Sequence, residues 1–479
     1  IYAGADGYLI SENTICGNFA VANGGGVAHV GLSDGGSIIN NRILFNQSFN
    51  QQQAANGGGL YISGSALAGE PATAGAGNVE VIGNVIQGNQ AGAGDGGAIA
   101  TFAFNGDDAV PGDGIATYRL SVINNTIVNN VTGGAGVIAL QDVELGDFFH
   151  NTIAYNDSTA TAASAFTGPN GFSESVKQVS GVYSKLHGAN LLAALGVASG
   201  NSDPDLLNNI LWHNRSCHWS DVDGVICDVA GTTTYDELGV QGNAACLRTD
   251  YSILSDVADV DICLPVAPDV LSNIQADPDF IGPSFLTAPS AGGFAGEAVP
   301  VVQAFAALDE GGNFIDLNFG LVSALDQGGQ LMPKGDFHLY YGSPAQDIGT
   351  DLGVLSDIDG DVRPMGPAPD AGSDEVFDGV VGNSIAITQA AVTAQLPLNR
   401  FRVTITATSD LGPNADLTFT LLDSLGRPIA QNYTLNWDSV DAVWTRTIRF
   451  NMNNRDFPLE VTVQGSEGSA SATINAPAP

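Results

Sequence analysis

Three aspartates near residue 360 have a spacing that could bind a metal ion. Asp357, Asp359 and Asp361 occupy alternate positions around Gly360, and alternating carboxylates in a loop can converge on calcium. The loop is not an EF-hand, because its glycine stands at the fourth position rather than the sixth and prolines follow. Two interpretations stay open: a calcium site, or a polar turn in which Arg363 pairs with a carboxylate and closes the end of the fold.

A second candidate site surrounds Cys217. His213 and His218 flank this cysteine and could act as metal ligands. Trp212 and Trp219 could instead offer an aromatic platform to a sugar. A packed loop that is braced by a disulfide explains the same residues without any ligand.

The cysteines favour disulfides over metal binding. The five cysteines show no Cys-x-x-Cys spacing, which gives no support for a zinc ribbon or a c-type haem. We predict two local disulfides in an exported protein, with all pairings left open, among Cys217, Cys227, Cys246 and Cys263. Cys16 is left over and is expected to be a small buried hydrophobe.

The element that must position these residues is a repeat. The motif Asn-x-(Ile/Leu)-x-x-Asn occurs six times, and four copies precede a glycine cluster. Short alternating apolar stretches separated by turns predict a coil of stacked strands, about 4.8 Å apart. The motif begins at Asn13, Asn41, Asn84, Asn125, Asn151 and Asn209.

Stacking gives these asparagines a structural role. An asparagine at the same place in each coil can pass hydrogen bonds to the next one, and it tolerates the left-handed backbone of tight corners. The glycine clusters are expected to allow positive φ or close backbone approach. We therefore predict a structural ladder and not a binding array.

Two stretches interrupt the pattern. Residues 157–208 separate two copies of the motif, and apolar positions at spacings of three and four from Val176 to Leu195 predict a helix there. Residues 281–334 form the second insertion.

Six phrases follow the last motif: Asp-Tyr-Ser-Ile-Leu at 250–254, Asn-Ile-Gln-Ala-Asp-Pro-Asp-Phe at 273–280, Gly-Asp-Phe-His-Leu at 335–339, Ser-Pro-Ala-Gln-Asp-Ile-Gly at 343–349, and the acidic phrases at 357–364 and 369–375. Together they resemble the C-terminal part of bacterial right-handed parallel β-helix proteins of the pectate-lyase-like superfamily, in particular the exported choice-of-anchor group. The upstream repeats look like those of polymorphic outer-membrane proteins. The resemblance implies an all-β fold with a right-handed parallel β-helix over residues 1–376. It implies function weakly, because this fold hosts lyases, hydrolases, adhesins and inert fibres.

Catalytic residues are hard to find on such a fold. Its lyases need a basic residue and usually calcium, and its hydrolases need facing carboxylates. Among residues 1–156 the basic side chains besides His29 and His150 are Arg42 and Arg119, and neither lies in a motif of a catalytic family. The acids at 107–108 are expected to lie in a solvated loop. The sequence predicts no catalytic residue, with an uncatalogued active site as the alternative.

The last hundred residues follow a different pattern. Strictly alternating stretches, such as 401–407 and 459–463, predict about seven strands. Residues 377–479 are therefore expected to form an immunoglobulin-like or fibronectin-like β-sandwich.

Charge and composition limit the partners. The chain has 14 basic and 51 acidic residues, a net charge of −37, so binding to nucleic acid or to anionic lipid is disfavoured. No apolar run is long enough to predict a membrane span. Because the chain begins with Ile1 inside a strand-like repeat, we expect an upstream portion that carries any export signal.

These observations favour a non-catalytic extracellular or cell-surface protein with a structural or adhesive role, or a subunit of a surface assembly or filament. The expected partners are other surface proteins, copies of the same chain, or extracellular polysaccharide. The alternative is an enzyme or binding module for polysaccharides on the same fold. Calcium is the one cofactor that the sequence suggests.

Overall fold

The computed structural model describes most of the chain, in two compact units, Ile1–Phe377 and Asp378–Pro479. The described residues are 1–50, 52–64, 73–229, 232–243, 247–256, 272–283, 335–376, 386–395, 400–408, 417–424, 427–438, 443–451, 458–465 and 468–474.

Four parallel sheets make up the first unit. The chain passes through sheets A, B, C and D in turn and then returns to A, and each such passage is here called a coil. Sheet A contains Tyr2–Ala3, Val27–Val30, Leu60–Ser63, Ile99–Phe102, Ile138–Leu140, Val182–Ser184 and Leu238–Val240. Sheet B contains Leu9–Ser11, Gly36–Ile39, Val79–Ile82, Leu120–Ile123, Gly146–Phe149, Asp205–Leu207 and Thr249–Asp250.

The other two sheets hold the asparagine motif and the residues after it. Sheet C contains Thr14–Cys16, Arg42–Leu44, Val85–Gln87, Thr126–Val128, Thr152–Ala154, Ile210–Trp212, Ile253–Leu254 and Ile274–Gln275. Sheet D contains Phe19–Ala20, Gln47–Ser48, Gln90–Ala91, Val131–Thr132, Asp157–Ser158 and Arg215–Ser216. The all-β prediction is confirmed.

The core is built by stacking equivalent residues. In sheet C the apolar third position of the motif pairs in register from coil to coil, as in Ile43 with Ile86 and Ile86 with Ile127. These three side chains are fully buried within the main apolar cluster. Branched aliphatic side chains pack well against in-register neighbours on a pleated surface, so the repeat itself specifies the register.

The corners between sheets use left-handed backbone. The residue before the first asparagine of the motif has positive φ, as at Asn40, Asn124, His150 and Asn208. The predicted left-handed corner therefore lies one residue before the ladder asparagine. Glycine serves a different need at Gly58, where a Cβ atom would lie 2.4 Å from the backbone carbon of Gln90 in the next coil.

The prediction of an insertion at 157–208 needs correction. This segment supplies Asp157–Ser158 to sheet D, Val182–Ser184 to sheet A and Asp205–Leu207 to sheet B, so it is one lengthened coil. The predicted helix is limited to Ala189–Leu195. Val182–Ser184 is a strand because neighbouring strands on both sides pair with it, which outweighs its helical spacing. Most of the predicted insertion at 281–334 lies outside the described residues.

Residues 335–376, here called the strap, run along the outer face of sheet C. The strap begins with Asp336–Leu339, which pairs antiparallel with Phe280–Gly282. Phe337, Leu339 and Ala345 of the strap pack in one apolar cluster with sheet C side chains such as Ile210 and Trp212. The acidic turn therefore lies along the side of the sheet stack, and not across its end as the sequence suggested.

The loop after sheet D contains two antiparallel pairs, His218–Ser220 with Gly224–Ile226 and Asp228–Val229 with Thr232–Thr233. Cys217 and Cys227 form a disulfide, which confirms that the cysteine-rich loop is cross-linked. Cys246 and Cys263 lie outside the described residues. Cys16 is a free, half-buried thiol. Short 3-10 helices lie at Asp107–Ala109, Ala163–Ala165, Gly171–Ser173 and Gln241–Asn243.

The second unit contains two antiparallel sheets in its described residues. One consists of Ala386–Gln395, Arg400–Thr408, Val443–Asn451 and Asn436–Asp438, and the other of Pro428–Thr434, Thr418–Leu422, Leu459–Gly465 and Gly468–Ile474. Buried side chains from both sheets, including Val403, Phe419 and Val461, share one apolar cluster. Across the described part of the chain, no helix has the length and hydropathy needed to cross a membrane.

Candidate functional site

The first asparagine row consists of the six predicted ladder residues. From Asn41 to Asn209, each side-chain Oδ1 accepts the backbone N–H and the side-chain N–H of the row member one coil earlier, at 2.9 to 3.3 Å. The row continues beyond Asn209, whose N–H donates to Ser252 Oγ, and the Ser252 N–H donates to Asn273 Oδ1. These amide groups are occupied by the protein itself, so they cannot also hold a ligand.

A second asparagine row follows at the other end of the motif, formed by Asn18, Asn46, Asn89, Asn130, Asn156 and Asn214. It ends on Glu237, a fully buried carboxylate that accepts both N–H groups of Asn214. In both rows each asparagine donates to the member in the next coil, so the hydrogen bonds point the same way along the stack. The buried Glu237 carboxylate is the last acceptor of the second row.

The strap carries a buried charged cluster around Arg363. This guanidinium and the Glu375 carboxylate are both fully buried, with Nε and Oε2 3.4 Å apart. Arg363 also donates to the carbonyl oxygens of Asp370 and Gly372, at 2.9 and 3.2 Å. A buried ion pair of this kind is costly to break, because either partner alone would be left as an uncompensated charge.

His150 connects this cluster to sheet B. Its Nε2 accepts a hydrogen bond from the Asn208 side chain at 2.9 Å, and its Nδ1 lies 3.1 Å from the Asp370 carbonyl oxygen. Burial, together with the neighbouring Arg363 charge, lowers the pKa of His150 to about 2. The imidazole is therefore neutral at every physiological pH, which suits a positioning contact and not proton transfer.

Asp370 and Glu375 hold the backbone of the strap. Asp370 accepts the N–H groups of Asp347 and Val376, and Glu375 accepts those of Met365 and Asp370. Burial raises the pKa of Asp370 to about 7 and also raises the pKa of Glu375. All four oxygens are engaged and the side chains are buried, so this pair is closed to a substrate.

The three aspartates of the predicted calcium loop differ in burial and in hydrogen-bond partners. Asp357 is buried and uses both oxygens to accept the N–H groups of Asp359, Asp361 and Glu375. Asp361 is exposed. Asp359 alone of the three belongs to a group of potential metal ligands in the described part of the chain, and its companions are His338 and Asp374.

His338 stands at the exposed edge of the strap between two carboxylates. Its Nε2 lies 2.7 Å from Asp359 Oδ2 and its Nδ1 lies 2.5 Å from Asp336 Oδ1. The hydrogen bond to Asp359 is the main cause that raises the pKa of His338 to about 10. Burial raises the pKa of the nearby Asp374 to about 6.

In the described part of the chain, the histidines beside Cys217 belong to no group of potential metal ligands. His213 stacks between Trp212 and Tyr235, with ring centroids 4.4 and 4.3 Å away. Trp212 is buried at 7% exposure, too enclosed to serve as a platform for sugar. Trp219 packs edge-on against Phe166.

The other polar candidates have structural partners. His29 is fully buried and lies 2.9 Å from the Tyr8 hydroxyl and 3.0 Å from the Ala76 carbonyl oxygen. Arg119 forms an ion pair with Asp147 at the surface. The expectation of solvated acids at 107–108 is wrong for Asp108, a buried side chain that accepts hydrogen bonds from three neighbouring groups.

Comparison with protein-family models, with curated proteins and with solved structures found no match to this chain.

Residues of the charged cluster were missed at the sequence level. His338, Asp370 and Asp374 stood in phrases that carried the family resemblance. No spacing between those phrases indicated that His338 and Asp374 meet Asp359, or that Asp370 meets Arg363. The alternation of Asp336 and His338 on one strand was the one local signal available.

A third histidine cluster gives a pH-dependent prediction. His187 is buried, with Nε2 2.7 Å from Glu144 Oε1 and Nδ1 3.6 Å from Asp142 Oδ1. Burial lowers the pKa of His187, but the two carboxylates outweigh it and raise the pKa to about 9. Because the folded pKa exceeds the unfolded value of about 6.5, the stabilisation is complete below that value and is lost as pH rises to about 9.

We therefore expect His187→Gln to lower the melting temperature markedly near pH 6 and much less above about pH 9. Thermal unfolding of both proteins, followed by circular dichroism over this range, measures the difference. A difference that stays constant with pH would contradict the assigned ion pairs.

Proposed function

We propose that this protein is a non-catalytic extracellular or cell-surface protein with a structural or adhesive role. In this proposal the first unit is a right-handed parallel β-helix of the pectate-lyase-like superfamily, of the choice-of-anchor type, and the second unit is an immunoglobulin-like or fibronectin-like sandwich. The order in which the chain visits sheets A to D supports the first assignment. The two four-stranded antiparallel sheets with a shared apolar cluster support the second.

One observation supports the functional proposal: the repeated polar side chains form their hydrogen bonds within the protein itself. The asparagine rows bond to each other, and the oxygens of Asp357, Asp370 and Glu375 accept backbone N–H groups. A glycosidase needs two carboxylates that face a substrate, and a lyase needs an accessible base. Buried carboxylates that cap backbone groups satisfy neither requirement.

The acidic composition fits a surface role. A net charge of −37 keeps the chain soluble and repels phosphate backbones and anionic lipids. In this proposal the partners are other surface proteins, further copies of the chain, or extracellular polysaccharide that the protein binds without cleaving.

We expect no new reducing ends and no unsaturated products when the full chain is incubated with a panel of acidic and neutral polysaccharides. A characterised lyase and a characterised hydrolase in parallel samples verify that each assay detects cleavage. Product formation that disappears in a matched protein sample with His338→Gln or Asp359→Asn would overturn the proposal in favour of a polysaccharide-degrading enzyme.

A further inference from the structure

Three side chains from separate parts of the strap meet at its surface. His338 lies on the strand Asp336–Leu339, Asp359 lies in the acidic turn, and Asp374 lies near the end of the strap. One ligand atom from each lies within 4.8 Å of the other two. Imidazole nitrogen and carboxylate oxygen are both ligands of divalent transition metals.

The histidine is oriented as a metal ligand would be. Asp336 holds the Nδ1 side of the ring at 2.5 Å, and Nε2 faces Asp359 at 2.7 Å. A metal ion would displace the Nε2 proton that this pair shares, and the proton would be released to solvent. A carboxylate behind the opposite nitrogen is the usual means by which proteins fix the ring orientation and raise the basicity of a ligating histidine.

Asp374 provides an independent observation. This residue is 8% exposed, and its Oδ2 accepts the Leu339 N–H at 2.7 Å. A buried carboxylate is unfavourable unless its charge is matched. The positive charge of His338 contributes to that match, and a metal ion that replaces the His338 proton would take over the same role.

The geometry points to a binding site for a divalent transition-metal ion of the Zn²⁺ class, with His338 Nε2, Asp359 and Asp374 as ligands and Asp336 behind the histidine. The imidazole ligand favours Zn²⁺ over Ca²⁺ and Mg²⁺, which prefer all-oxygen sites. The side chains of His338 and Asp359 are 42% and 54% exposed, so an ion can enter from solvent.

Such an ion would tie together three segments of the strap. It would therefore stabilise the cover over sheet C without any catalytic step. The inference does not depend on the proposed function, because a structural ion suits a surface protein and an enzyme equally.

The test uses the full chain after dialysis against a chelator. Isothermal titration with Zn²⁺ and elemental analysis after desalting should show stoichiometric uptake and a raised melting temperature. Asp359→Asn and His338→Gln should each weaken Zn²⁺ binding by about tenfold or more. Circular dichroism verifies that both variants fold, which their exposed positions favour.

Asp361→Asn is the matched control, because Asp361 is an exposed aspartate of the same turn outside the ligand group. It should bind Zn²⁺ like the wild type, and Ca²⁺ should bind the wild type more weakly than Zn²⁺. Three results would each overturn the inference. They are no stoichiometric Zn²⁺ uptake by the wild type, Zn²⁺ binding by Asp359→Asn that equals that of the wild type, or equal losses of Zn²⁺ affinity in Asp359→Asn and Asp361→Asn.

Discussion

Replacing Asn125 by alanine should lower the free energy of unfolding by about 3 kcal/mol or more. Asn125 is fully buried, and its amide group donates to the carbonyl oxygens of Val81 and Ile123 and to Asn151 Oδ1. Its Oδ1 accepts the N–H groups of Asn84. Alanine leaves several of these groups without a partner, at about 1–3 kcal/mol for each stranded group.

Denaturant unfolding monitored by circular dichroism measures this change. Asn13→Ala is the matched control, because Asn13 belongs to the same row but is exposed, and water can replace its side-chain hydrogen bonds. We expect the control to lose about 1 kcal/mol or less. If both substitutions lowered the free energy of unfolding equally, burial would not be what makes the hydrogen bonds of this row stabilising.

Arg363→Met should destabilise the strap by about 3–5 kcal/mol, the usual cost of removing one partner from a buried ion pair. The variant leaves the Glu375 carboxylate buried without its cation and frees the carbonyl oxygens of Asp370 and Gly372. Because the cluster fastens the strap to His150, we expect the strap to separate from sheet C before the sheets unfold.

Limited proteolysis reports this separation, with cleavage expected between residues 340 and 370 in the variant and not in the wild type. Arg119→Met serves as the control, since Arg119 pairs with Asp147 while 41% of its side chain is exposed. Such a pair contributes about 1 kcal/mol or less. Similar effects of the two substitutions would contradict a special role for the buried cluster.

The repeat made most of the first unit predictable. The apolar third position and the asparagines recur at the same place in each coil, so the in-register stacking of Ile43, Ile86 and Ile127 and the hydrogen bonds between asparagines follow from the pattern. Local periodicity was less reliable at Val182–Ser184, where pairing with two neighbouring strands determines the conformation.

The strap could not be predicted from spacing. Its contacts with sheet C join residues far apart in the chain, such as Ser373 with Thr126 and with Thr152. The acidic turn was recognised as polar, but whether Asp357 faced an ion or the backbone depended on its burial. Only the packing over sheet C shows that its oxygens accept backbone N–H groups.

The sequence predicted left-handed backbone at the corners but placed it at the ladder asparagine, one residue too late. Phe45 and Tyr155 adopt positive φ although neither residue type favours it. Such strain persists where the surrounding structure over-determines it, and here the strands on either side of each corner are held in register by their neighbours.

Native-state hydrogen exchange, followed by mass spectrometry, tests most directly whether the asparagine rows are structural. Peptides covering residues 84–91, 125–132 and 151–158 should exchange far more slowly than the exposed loop at 111–116. Asn125→Ala should accelerate exchange in these peptides, while added polysaccharide should leave it unchanged. Rapid exchange of these peptides in the wild type, or protection that appears only with polysaccharide, would contradict the structural account and favour a binding array.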